Sequence, residues 1–95
     1  MTNEEYVKLM NSDLEAQKKM LSVMKSYGAN RWWLSDDVKH MSYYQIYENT
    51  ILIEFEVFQK GVELLLGREV ETVEFSPGLI ELLQIEAKKK YSPPQ

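Results

Sequence analysis

The sequence predicts an all-α fold: one helical domain over residues 1–95, built as a three-helix bundle with a long central helix, and three observations predict it. Apolar residues recur at spacings of three and four along most of the chain, which is the period of an α-helix. Residues whose side chains cap helix starts stand where each helix would open, at Thr2, at Ser35-Asp36-Asp37 and at Ser76. Cysteine is absent, so packing or association must hold a chain of 95 residues without disulfides or thiolate-bound metal.

The first helix is read from Thr2 to Tyr27. Tyr6, Leu9, Met10, Met20, Leu21, Met24 and Tyr27 form its apolar stripe, with Lys8, Glu15, Lys18, Lys19, Ser22 and Lys25 mostly opposite. Thr2 can cap its start, Glu4 and Glu5 favour the positive end of the helix dipole, and Gly28 with Asn30 supplies a stop. Asp13 and Gln17 interrupt the stripe, so packing there is expected to be loose or polar. Arg31-Trp32-Trp33-Leu34 follows as a short connector of unusual aromatic weight.

The central helix is read from about Asp36 to Leu66, with a break or bend placed near Met41 and Ser42. Local propensity between Thr50 and Phe58 favours a strand, because β-branched and aromatic residues alternate there with Glu54 and Glu56. The longer pattern overrides it. Tyr44, Tyr47, Ile51, Phe55, Phe58, Val62 and Leu65 are spaced by three or four residues over about three heptads. Ile46, Ile53, Val57 and Leu64 then make a second apolar side. Burial of each large apolar side chain contributes roughly 1.5 to 3 kcal/mol, against a total stability of about 5 to 15 kcal/mol for such a domain. Association is the expected resolution, as a homodimer or higher homo-oligomer or with a protein partner.

Gly67-Arg68-Glu69 ends that helix, and Val70 to Phe75 is expected to be extended or irregular. Ser76 as cap and Pro77 in the first turn open the last helix, whose packing face is Leu79, Ile80, Leu82, Leu83 and Ala87. Lys88, Lys89 and Lys90 close it at the end the dipole makes negative. Residues 92–95 are expected to form a frayed tail.

Composition narrows the function classes. A net charge of −4 argues against duplex nucleic acid as a partner. No apolar run approaches the roughly 20 residues that span a bilayer, and Met1 to Glu5 carries acids where a secretory signal carries bases; a soluble chain in a reducing, cytoplasmic setting is expected. Asp36, Asp37 and His40 come nearest to a metal site, since residues four apart share a helix face. A third and fourth ligand at defined spacing are missing, so capping is the expected role of the aspartates and no metal or cofactor is expected. His40 is the single histidine, no serine sits in a recognisable nucleophile setting, and no Gly-rich phosphate loop exists.

Glu54 falls inside the apolar arc and is expected to be buried, where it needs a donor or cation or else responds to protons. Gly61, further along the same side, has two readings: a close helix approach or a tolerated defect. Arg31, Trp32 and Trp33 with Tyr43, Tyr44 and Tyr47 form a cationic aromatic cluster with three readings: an anchor for a protein partner, a stacking platform for single-stranded nucleic acid, or the lid of the core. The expectation is a non-enzymatic adaptor, inhibitor or accessory factor that binds through Arg31, Trp32, Trp33, Tyr43, Ile46, Ile53, Val57 and Leu64. The alternatives are a nucleic-acid-associated regulator, or a metal or small-ligand enzyme using Asp36, His40 and Glu54.

Overall fold

The structure, a computed structural model, describes residues 1–92, and these are all-helical with no strand among them. Five α-helices follow in order: α1 (Asn3–Met10), α2 (Leu14–Ser26), α3 (Val38–Gln45), α4 (Phe55–Leu66) and α5 (Ile80–Lys90), with 3-10 turns at Trp32–Leu34 and Thr72–Phe75. No described helix is long and apolar enough to cross a membrane. Most of the expected frayed tail lies outside the described residues.

The expected first helix is two helices. Thr2 and Glu5 cap α1 reciprocally, Glu5 N–H donating to Thr2 Oγ1 at 3.1 Å and Thr2 N–H to Glu5 Oε1 at 2.8 Å. The two polar residues that interrupt the apolar stripe then restart the chain. Asp13 caps α2 by accepting from Ala16 N–H at 3.0 Å, and the Gln17 amide donates to the Asn11 carbonyl at 2.7 Å. A side chain that satisfies the first amides of a new helix competes with continuation of the old one. The turn after α2 passes through Gly28 at φ +59°, a backbone conformation that side chains with a Cβ rarely adopt. Arg31 fastens the following turn to the N-terminus, donating to Asn3 Oδ1 at 3.2 Å and to the Met1 carbonyl at 2.6 Å.

The expected long central helix is also divided, and the division falls at residues 46–54 rather than near Met41 and Ser42. Asp37 caps α3 as expected, accepting from Lys39 N–H at 3.0 Å. At its other end Gln45 is fully buried and serves as a template for the non-helical connector. Its amide nitrogen donates to the Thr50 carbonyl at 2.9 Å, and its oxygen accepts from Leu52 N–H at 2.8 Å. The Tyr6 hydroxyl donates to the Leu52 carbonyl at 2.5 Å. Asn49 and the β-branched run Thr50-Ile51 are poor helix formers, and the side-chain hydrogen bonds supply what a helical ladder would have supplied.

The connector folds α4 back on α3. The two helices cross at Gly61, which is buried against Ser42. After Gly67, left-handed at φ +71°, the chain turns through the second 3-10 turn. Here too the start of the last helix differs: α5 begins at Ile80, because residues 76–79 form a turn in which the Ser76 carbonyl accepts from Leu79 and Ile80 N–H, each at 2.9 Å. Of its expected packing face, Leu83 and Ala87 reach the core, Ile80 is half-buried, and Leu79 and Leu82 stay exposed.

Candidate docking surface

The aromatic cluster legible in the sequence is a lid on the core. Trp32 is 1% and Trp33 2% exposed. Trp32 stacks on Tyr44 at 5.8 Å with an interplanar angle of 13°, and Tyr27 meets both indoles edge-on at 5.7 and 6.3 Å. The Tyr27 hydroxyl donates to the Glu48 carboxylate. Burial first, and then that bond and the charge of Glu48, raise its pKa well above the ordinary tyrosine value. Tyr43 is half-buried among Tyr44, Tyr47 and Tyr91. Trp32 and Trp33 therefore offer no free face to a partner or to a nucleic-acid base.

The second apolar side expected for the central helix does not survive the break at 46–54. Ile46 and Ile53 lie in the connector and are 1% and 3% exposed, packed into the chain's own core. Val57 is half-buried, and only Leu64 is substantially exposed. Glu54 is exposed rather than buried: it stands immediately before the first turn of α4, where the chain leaves the connector, and it caps nothing with its side chain. Asp36 is exposed, Asp37 caps α3, and the His40 ring meets Tyr44 edge-on at 5.2 Å. Among the described residues no three His, Asp or Glu side chains gather into a group able to hold a metal ion.

What the fold does present is an apolar ridge. Ile51 is 42% and Phe55 37% exposed, and both line two recesses that lie on either side of them. One, of about 430 Å³, is walled by Met10, Met20 and Ile53. The other, of about 510 Å³, is walled by Phe58, Phe75 and Ile80. The rings of Phe55, Phe58 and Phe75 hold one another edge-on, with centroids 5.0 to 6.1 Å apart. This mutual contact fixes the ridge as a shaped surface rather than a loose side chain.

Carboxylates ring the ridge. Glu54 and Glu56 border the first recess, Glu48 and Glu81 the second, and no cation lines either. Lys19 lines a third, smaller recess beyond Ile51. Residues 48–87 hold nine carboxylates against two cations, Lys60 and Arg68. Arg68 is itself engaged, donating to Glu74 and to Glu86 at 2.9 Å each. Its guanidinium, helped by Lys90, holds the Glu86 carboxyl down at about 2. The acidic excess of the chain is thus gathered on the segment that forms the ridge.

No protein-family model matches the chain, and neither the curated proteins nor the solved structures contain a match. Sequence reasoning placed Ile51 and Phe55 in a buried helical seam and so missed the ridge. The signal that could have found it is Asn49-Thr50, a pair of poor helix formers between two apolar runs.

Proposed function

We propose that this chain is a non-enzymatic interaction protein, of the adaptor, inhibitor or accessory kind, that holds a polypeptide segment on the surface around Ile51 and Phe55. One observation carries the reading. Ile46, Leu52, Ile53 and Phe58 are each 3% exposed or less, whereas Ile51 and Phe55, from the same stretch of chain, are 42% and 37% exposed between two unfilled recesses. Large apolar side chains around a shaped concavity are the usual composition of a docking site.

The occupant that fits is an amphipathic helix with basic flanks. Its basic residues complement Glu48, Glu54, Glu56 and Glu81. A helix satisfies its own backbone, whereas β-strand addition needs a free sheet edge, and there is no strand among the described residues. The probe is a synthetic Leu/Lys amphipathic peptide, compared by calorimetry with a Leu/Glu peptide of the same pattern. The Leu/Lys peptide is expected to bind, more weakly as salt rises, and Phe55→Ser is expected to abolish binding. Equal binding to Phe55→Ser would mean attraction to a generally acidic surface and would overturn the reading.

A further inference from the structure

The outward face of α5 carries apolar side chains that nothing among the described residues covers. Leu82 is 64% and Ile85 54% exposed, three residues apart and so on neighbouring rows of the helix. Neither is needed to hold α5 in place, because Leu83 at 1% and Ala87 at 0% exposure already seat the helix on the core. Two large apolar side chains side by side in water are a standing loss that a matching surface recovers.

The charges on the same face have an order. Glu81 lies toward the start of α5; two turns later Lys88 stands on its side and Lys89 in line with Leu82 and Ile85, all exposed. None takes part in an ion pair among the described residues. The ion pairs of α5 lie elsewhere, from Glu86 to Arg68 at 2.9 Å and to Lys90 at 3.2 Å. In a parallel pair of such helices Glu81 would face Glu81 and Lys88 would face Lys88. In an antiparallel pair crossing between Gln84 and Ile85, Glu81 of each copy comes level with Lys88 of the other, so both ends carry opposite charges while Leu82 and Ile85 meet in the middle.

We infer that a second copy of this chain docks antiparallel on α5, burying Leu82 and Ile85 and pairing Glu81 with Lys88 twice across a two-fold axis. Such an interface is self-complementary, as a closed dimer requires. A helix of 11 residues is only about 16 Å long, so the contact is small and the dimer forms in proportion to concentration. The interface shares Glu81 with the rim of the second recess but buries neither Ile51 nor Phe55, and it does not depend on the ridge.

Sedimentation velocity of the full chain across a micromolar to millimolar series tests it. The weight-average coefficient is expected to climb from monomer toward dimer. Ile85→Asp is expected to weaken association at least about tenfold, some 1.4 kcal/mol, with an unchanged circular dichroism spectrum and thermal midpoint. Glu81→Lys and Lys88→Glu each weaken it, and the two combined in one chain restore it. A wild type that stays monomeric throughout, or an Ile85→Asp variant that dimerises as well as wild type, overturns the inference. Failure of the combined variant to recover overturns the antiparallel pairing. Binding of the Leu/Lys peptide by a strictly monomeric protein would leave the ridge standing and remove the dimer alone.

Discussion

Gly61 of α4 lies directly over Ser42 of α3: a Cβ placed on Gly61 would sit 1.9 Å from Ser42 Oγ, 2.7 Å from Ser42 Cβ and 2.5 Å from the Val38 carbonyl oxygen. The last of these is backbone and cannot rotate away, so the helices would have to part. Gly61→Ala is expected to destabilise by about 1 to 3 kcal/mol through overpacking, even though alanine is the better helix former. Ser42→Gly in the same chain should recover part of the loss. Urea midpoints of the single and combined variants check this, and an unaltered midpoint for Gly61→Ala would refute the close crossing.

Gln45 holds the connector by both ends of its amide, so its replacement should act on the connector first. Gln45→Leu leaves the buried Leu52 N–H without an acceptor, a cost of about 1 to 3 kcal/mol. Hydrogen exchange at Leu52 should accelerate well beyond what global destabilisation explains. Gln45→Glu keeps an acceptor but buries a carboxylate, whose pKa must rise. That variant should gain stability relative to wild type as pH falls through the raised value, the reverse of ordinary acid denaturation.

The Arg68 cluster predicts an acid limb. The Glu86 carboxyl titrates at about 2 in the folded chain against an ordinary 4.5, and Glu74 is lowered by the same guanidinium. A carboxyl with a depressed folded pKa stabilises fully above its unfolded value and loses that contribution as pH falls toward the folded one. Arg68→Ala should therefore have a lower thermal midpoint than wild type at neutral pH, with the gap closing between pH 4.5 and about 2. The groups face solvent, so the gap is modest and shrinks in molar salt.

Tyr27 predicts the opposite limb. Its hydroxyl pKa is raised from the ordinary 10.0, so its contribution is complete below pH 10 and is lost as pH rises further, when the unfolded chain releases the proton more readily. Tyr27→Phe should cost about 1 to 2 kcal/mol at neutral pH, as expected for a half-buried bond to a charged acceptor. It should also flatten the alkaline decline. Chemical unfolding curves at neutral pH and above pH 10 would show both.

Burial of Trp32 and Trp33 makes a spectroscopic prediction. Acrylamide and single-stranded DNA should each leave the tryptophan emission nearly unquenched until the chain unfolds, since both rings are at most 2% exposed. Strong quenching by single-stranded DNA at low salt, without loss of helical signal, would restore the stacking-platform reading.

Much of the helical architecture was legible in the sequence, and its divisions were partly so. Asp13 interrupts an apolar stripe in the sequence; that it caps a new helix follows from its bond to Ala16 N–H. The strand-like composition of Thr50 to Phe58 competes with a heptad-like spacing that runs straight across the break. Spacing constrains which residues could share a face, but it does not say whether the helix between them exists. Burial differs accordingly from the expectation: Trp32, Trp33, Ile46 and Ile53 lie in the core, Glu54 lies outside it, and Ile51 and Phe55 are at the surface.

By itself the sequence determined the all-helical class, the cap at Thr2, the capping run that holds Asp37 and the helix stop at Gly28. Each of these is set within a few residues by local stereochemistry or by the absence of a side chain. Only the tertiary structure decided where the central segment breaks and which apolar residues remain outside. Those outcomes depend on the Gln45 amide reaching Thr50 and Leu52, on Tyr6 reaching Leu52 from 46 residues away, and on α4 folding back over α3 at Gly61. Such contacts exist only once the chain is folded, and no period or propensity records them.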